Sequence, residues 1–201
     1  MFRTKNKILS IICLVVLAIL ILRIYNVNAN AYPLEEKIYR VNEWVPIDGN
    51  YFYNTSEGTN GYSLKVDKTE LLTYSEYMKR FDMDEDYLSP SSRMDVILIE
   101  ATLKNDSDEK GGLFIDCIRL KNRYQSYAFE WNSDYMSIAN SWYVPNVFGA
   151  SIQPHTEFKI YLPFTLRYGE GADSYLDIAD LNEKYYLLLS NYPICTQIMI
   201  E

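Results

Sequence analysis

Histidine occurs once in this 201-residue chain, as His155, and cysteine three times, as Cys13, Cys117 and Cys195. A lone imidazole excludes sites that need paired histidines, among them the common catalytic zinc arrangements. Gly-x-Ser-x-Gly, a phosphate loop, a dinucleotide fingerprint and Cys-x-x-Cys are all missing, and with them the usual backbone supports for hydrolase, nucleotide and dithiol chemistry. Carboxylates are missing from residues 1–31, which hold Arg3, Lys5, Lys7 and Arg23. Setting those four cations aside leaves 15 Lys and Arg against 27 Asp and Glu, a formal net charge of −12 for residues 32–201. Clustered cations supply most of the affinity for phosphate backbones, so nucleic acid is not an expected ligand. Anionic wall polymers are repelled for the same reason.

What is present begins with a greasy stretch. Ile8 to Leu22 reads ILSIICLVVLAILIL, 15 residues broken only by Ser10, with three cations before it and Arg23 after it. It is apolar all round, unlike a core helix, which is striped, and so reads as an export or anchor signal. Fifteen residues span about 22 Å as a helix, short of the ~30 Å hydrocarbon core, which suits a cleaved signal peptide. Val27-Asn28-Ala29 and Ala29-Asn30-Ala31 offer the small-residue pattern of a cleavage site. Ile24, Tyr25 and a snorkelling Arg23 suit a retained anchor instead. Cation bias keeps the N-terminus inside the cell. Ser10-Ile11-Ile12 before Cys13 lacks the small residue of a lipidation site. The expected organisation is an anchor over residues 1–25, which contacts the membrane through residues 8–25, a linker over 26–37 and a folded domain over 38–201.

The domain reads as strands. Val45-Pro46-Ile47 and Tyr51-Phe52-Tyr53 flank the turn Asp48-Gly49-Asn50, and Pro46 places the first piece at an edge. Tyr62, Leu64 and Val66 alternate with Ser63, Lys65 and Asp67, the mark of a half-buried strand. Thr73 with Glu76 fits a capping box, and Tyr74, Tyr77, Met78 and Phe81 keep helical spacing, so a two-turn helix is predicted across one end of the sheet. Met94 to Lys104 is rich in β-branched residues and suits a central strand covered on both faces. Turn formers from Asn105 to Gly112 close it. Leu113–Leu120, Tyr124–Trp131, Glu157–Leu166 and Tyr185–Ile200 supply the later strands. Strands between turn signals, with a single helix, predict an all-β sandwich and not a βαβ fold.

Val96 to Asn105, VILIEATLKN, with its acidic turn and the strand ending at Leu120, resembles the immunoglobulin-like antiparallel β-sandwich domains of Gram-positive surface proteins. Arg23–Asn28, Gly61-Tyr62-Ser63, Glu76-Tyr77 and Leu189–Pro193 are similar to segments of a family of short membrane-anchored proteins of unknown function in such bacteria. That resemblance implies a retained anchor and brings no catalytic or binding residue with it.

No residue is assigned a catalytic, cofactor-binding or metal-binding role. His155, between Pro154 and Thr156, reads as an exposed turn residue; as activator of a Cys117 or Cys195 nucleophile it has no supporting motif. A disulfide between Cys117 and Cys195 suits an oxidising compartment. Strand phase argues against it, placing Cys195 opposite Ile194, Ile198 and Ile200. The run Asp82–Asp86 has the carboxylates a calcium loop needs, but Tyr87 and Arg93 stand where its glycine and glutamate belong. Among 19 tyrosines and three tryptophans, only Tyr135 to Phe148, around Trp142 and Tyr143, suggests aromatics displayed on a loop. Asn54-Thr55-Ser56 and Asn105-Asp106-Ser107 match the glycosylation pattern. The expected function is a non-catalytic interaction module at the cell surface, with a protein or wall partner. The alternatives are a carboxylate-dependent hydrolase and an envelope protein without a dedicated ligand.

Overall fold

A computed structural model describes residues 2–29, 35–53, 56–122, 128–145, 149–166 and 184–200. The chain divides into two compact units, residues 1–34 and 35–201.

The first unit is one helix, α1 (Phe2–Ala29). Its window Ile12–Ala29 has mean hydropathy 2.2 and no buried part. Eighteen residues rise about 27 Å, close to the hydrocarbon thickness, so the helix fits a membrane span and a signal sequence alike.

The described residues of the second unit form a β-sandwich of nine strands. In chain order these are β1 (Glu35–Arg40), β2 (Val45–Pro46), β3 (Tyr62–Leu72), β4 (Val96–Asn105), β5 (Arg119–Asn122), β6 (Ala128–Trp131), β7 (Thr156–Leu166), β8 (Tyr185–Ser190) and β9 (Ile194–Ile200). Two short α-helices, α2 (Tyr74–Arg80) and α3 (Ser133–Ala139), join them among the described residues. Of the segment expected as a linker, Asn26–Ala29 lies in α1 and Glu35–Lys37 in β1.

Hydrogen bonds join the strands in the order β1-β9-β8-β5-β6-β7-β4-β3-β2. All pairings are antiparallel except β1 with β9. The two halves of the ladder close on one core. Ile99 and Leu103 of β4 and Leu162 and Phe164 of β7 then share one core with Leu120, Leu187 and Ile198 from the other layer. The pairings β4 with β7, β5 with β8, and β8 with β9 correspond to the B–E, C–F and F–G pairs of an immunoglobulin sandwich.

The alternation read from Tyr62 to Val66 holds, and β3 continues to Leu72 past a bulge at Val66/Lys68. Strand β4 is covered on both faces. Ile97, Ile99, Ala101 and Leu103 face the inner core, while Val96 and Leu98 join Tyr77, Met78, Leu88 and Tyr135 in a second cluster. Helix α2 has the expected capping box, Thr73 with Glu76. It lies on the outer face of β4, and not across the sheet end, because its apolar stripe meets Val96 and Leu98.

Four expectations need correction. A single helix was predicted in the domain, but Asn132 caps a second one: its side-chain oxygen accepts from the Asp134 N–H, and α3 buries Tyr135 and Met136. Leu113–Leu120 is not one strand. Leu113 bridges to Ala150, Ile115–Cys117 is a single 3-10 turn, and β5 starts at Arg119. The Cys117 and Ile118 N–H groups donate to the carbonyls of Phe114 and Ile115, three residues back, so this segment turns instead of pairing as a strand. Tyr51 does not form a hairpin with β2; it crosses to Tyr192, between β8 and β9. The stretch Tyr185–Ile200 is likewise two strands, split around the cis Tyr192-Pro193 bond. Residues 124–127 of the expected strand Tyr124–Trp131 lie outside the described residues.

Candidate functional site

The loop between β2 and β3 is built by its own polar side chains. Asn50 is buried, donates through Nδ2 to the Ile47 carbonyl at 2.6 Å, and accepts through Oδ1 from the Ile194 N–H at 3.0 Å. Its carbonyl accepts from Thr59 Oγ1 at 2.6 Å. Tyr51 is tied to Tyr192 by two backbone bonds of 2.6 and 2.9 Å, and their rings lie 6.2 Å apart. Asn50 and Tyr51 thereby hold the loop to the β8–β9 connection.

Farther along, Gly58 and Gly111 pack backbone to backbone. A Cβ on Gly111 would stand 2.0 Å from the Gly58 carbonyl oxygen, and Gly111 has φ +56°. The Gly112 N–H donates to that same carbonyl at 2.8 Å. This close approach draws the loop against the turn that follows β4.

Glu57 is carried inward by the fold of this loop. It is 5% exposed, and its Oε1 accepts from the backbone N–H groups of Phe52 and Tyr53 at 2.9 and 3.0 Å. Its Oε2 is buried without a hydrogen-bond partner among the described residues. A buried carboxylate oxygen left unpaired is costly, because water no longer solvates it.

Asp116, on the 3-10 turn before β5, lies within electrostatic reach of Glu57. Burial first, and the charge of Glu57 as well, hold its carboxyl above the ordinary value, against a thiol hydrogen bond from Cys117 and the charge of Arg119. The Cys117 sulfur is 3.6 Å from Asp116 Oδ1. Burial, followed by Asp116 and Glu57, pushes the Cys117 thiol up to about 12, against a hydrogen bond with the Tyr53 side chain. Tyr143 is raised by burial and then by Asp116. Glu57, Asp116, Cys117 and Tyr143 are thus linked electrostatically, and Tyr53, 65% exposed, meets the Cys117 thiol, while Tyr192, 52% exposed, is tied to Tyr51 of the same loop. A thiol so strongly protonated is a poor nucleophile. Two carboxyls of which one is raised are suited to holding a proton, or to meeting a donor on a ligand.

The residues singled out from sequence fall elsewhere or in other roles. His155 sits in a turn at φ +56°, exposed, with Nε2 3.0 Å from Asp108 Oδ1; it is not among the groups surrounding either buried thiol. Cys117 and Cys195 are free and buried in the same core. Cys195 keeps its expected phase, alternating with Ile198 and Ile200 along an uninterrupted β9 and accepting at Sγ from Gln197 Nε2 at 3.3 Å, yet it is buried too because both faces of β9 are covered. Its thiol is raised chiefly by burial.

In the acidic run, Asp86 pairs with Arg93 at 2.9 Å and Glu85 accepts from Ser75. Among the described residues no three His, Cys, Asp or Glu side chains converge as metal ligands. Tyr135 is not displayed on a loop; it is fully buried in α3. Trp142 packs on the core and against Phe158, with ring centroids 5.6 Å apart. Residues 146–148 of that stretch lie outside the described residues, as does Asn54 of the first glycosylation pattern. Asn105 of the second is buried, with its amide donating to the carbonyls of Glu109 and Ile152.

Sequence reasoning missed Glu57 and Asp116. Glu57 stands in polar surroundings that read as solvated loop and Asp116 in a stretch that read as the strand Leu113–Leu120, and only Gly58 and Gly111-Gly112 signalled a close backbone approach.

A family model described as a domain of unknown function, DUF5028, matches residues 36–195. No curated protein matches the chain. Among solved structures, the chain is similar to a conserved hypothetical protein from Bacillus anthracis, at 12% identity over 81% of this chain and 95% of that one, with a TM-score of 0.43. It is similar to an uncharacterized β-sandwich protein from Clostridium difficile, at 11% identity over 86% and 99%, with a TM-score of 0.42. A third is the yjhA protein from Bacillus subtilis, at 8% identity over 81% and 99%, with a TM-score of 0.40.

Proposed function

The chain belongs to the DUF5028 family, a domain of unknown function, and from that premise we propose that it is a membrane-anchored, non-catalytic binding module. Helix α1 holds it in the cytoplasmic membrane with the N-terminus inside, and the sandwich lies outside. Cation placement supports this orientation: Arg3, Lys5 and Lys7 precede the apolar run and only Arg23 follows closely. The partner, a protein or a wall component, is met at the sandwich end that carries Tyr53 and Tyr192.

One observation carries the binding reading, the buried Oε2 of Glu57, which has no hydrogen-bond partner among the described residues. A desolvated, unpaired carboxylate costs stability, and such groups concentrate where a ligand or a proton completes them. Exposed tyrosines supply contact area with few rotatable bonds, which suits a binding rim.

The test is a photo-crosslinking residue in place of Tyr53 or Tyr192 in the full chain in growing cells. Tyr87, exposed on the loop after α2, serves as the comparison position. Adducts of defined mass at Tyr53 and Tyr192, and none at Tyr87, support the reading. Equal labelling at all three, or none, removes this end as the binding surface.

The carboxyl pair also favours a second reading, acid–base hydrolysis, which needs two carboxyls with one desolvated. Glu57→Gln and Asp116→Asn would then abolish any hydrolytic activity found in the purified chain, while each variant still melts in one cooperative transition.

A further inference from the structure

The two ends of the β ladder are built differently. Strand β2 is two residues long and carries Pro46, which blocks further pairing on that side. Strand β1 is six residues long, lies at the opposite end, and has no strand on its outer edge among the described residues. Tyr39 is its partly buried residue and packs on the core. Alternation then puts Glu35, Lys37 and Tyr39 on one face and Glu36, Ile38 and Arg40 on the other. Ile38 is 55% exposed. On the first face Lys37 is paired with Glu35 at 3.2 Å.

The backbone groups of Arg40 identify which residues offer hydrogen bonds outward. Its N–H donates to Glu43 Oε2 at 3.0 Å and its carbonyl accepts from the Glu43 N–H at 3.3 Å. Both therefore turn to the following turn, away from β9. The period of two makes Glu36 and Ile38 the other outward-bonding residues of β1.

We propose that β1 is a homophilic edge, on which β1 of a second copy of this chain pairs antiparallel with Ile38 opposite Ile38. This goes beyond the binding reading above and rests only on the membrane anchorage proposed with it. In that register Glu36 of each copy faces Arg40 of the other, so an apolar contact is flanked by two opposite-charge pairs. A two-fold axis through Ile38 makes the contact self-complementary and closed. Glu43 guards the edge: its carboxylate must leave the Arg40 N–H for the outer bonds to form. Copies held in one membrane meet at raised effective concentration, which favours an edge of this modest length.

The test uses the full chain in isolated membranes, in a Cys13→Ser background, with Ile38→Cys. Directly opposed residues of a hydrogen-bonded antiparallel pair lie about 5.5 Å apart at Cα, within the disulfide range. Mild oxidation is expected to give a covalent dimer on a non-reducing gel, and Tyr87→Cys, exposed elsewhere, several-fold less. Adding Glu36→Arg or Arg40→Glu alone should lower the Ile38→Cys dimer several-fold. Co-expressing those two reversed chains should restore it as a mixed dimer, since each Arg then faces a Glu. A dimer as strong at Tyr87→Cys, or one indifferent to either reversal, or no dimer at Ile38→Cys in chain whose Cys117 stays unlabelled and hence folded, overturns the proposal.

Discussion

The side chain of Asn140 closes a two-bond ring on the backbone of Tyr161: Nδ2 donates to the Tyr161 carbonyl at 2.8 Å, and Oδ1 accepts from the Tyr161 N–H at 3.0 Å. Strand β6 pairs with β7 only at Phe164 to Leu166, so the amide takes the place of the strand that has ended. It fixes the end of α3 to the sheet and satisfies backbone groups that would otherwise lie buried and unpaired.

Asn140→Ala removes both bonds and leaves two main-chain groups unsatisfied. The expected loss is about 2–4 kcal/mol. In denaturant titration the midpoint should fall with the slope unchanged. An unchanged midpoint would mean that water replaces the amide without cost.

Gly111 and Gly112 are neighbours with opposite tolerance. Gly111→Ala puts a Cβ at 2.0 Å from the Gly58 oxygen at a left-handed φ, whereas a Cβ on Gly112 meets only the Ala150 oxygen at 3.8 Å. The first substitution is expected to cost more than about 3 kcal/mol and the second less than about 1 kcal/mol. Thermal melts of the two variants side by side measure the difference, and it should also open the loop that buries Glu57 in the first variant alone.

Asp116 gives stability a dependence on pH. Its carboxyl is raised in the folded state, by burial first and then by Glu57 among other groups. The folded chain therefore holds that proton more tightly than the unfolded one. The contribution is fully present below the unfolded value of about 4 and is lost as pH rises through the folded value. Asp116→Asn should accordingly raise the melting temperature by a few degrees at pH 7 and leave it unchanged at pH 3. A lowered melting temperature at pH 7 would show that the ionised carboxylate is held favourably by partners.

Much of the fold was legible in the sequence because local rules agreed with the tertiary outcome. Tyr62-Leu64-Val66 alternated, Thr73 and Glu76 formed their box, and Val96 to Asn105 was apolar enough to be covered twice. Where the chain passes from one layer to the other, local pattern misled. Leu113, Ile115 and Cys117 alternate like a strand, yet a 3-10 turn makes the crossing. Cys195 kept its expected phase, but β9 is covered on both faces, so the side opposite Ile198 and Ile200 is buried as well. The candidate site was illegible for a related reason. Glu57 is 5% exposed in a loop whose next residue, Gly58, packs on the distant Gly111 and Gly112, and nothing in its own neighbourhood marks a carboxylate that loses its water.

The central claim, that α1 carries the sandwich to the outer side of the cytoplasmic membrane, is tested most directly by adding protease to protoplasts that express the full chain. Exposed sites such as Tyr53 and Tyr87 on the sandwich loops should then be cut, leaving a short membrane-embedded fragment that retains an N-terminal tag. A sandwich that stays intact until the protoplasts are lysed, and is cut only afterwards, would contradict the account.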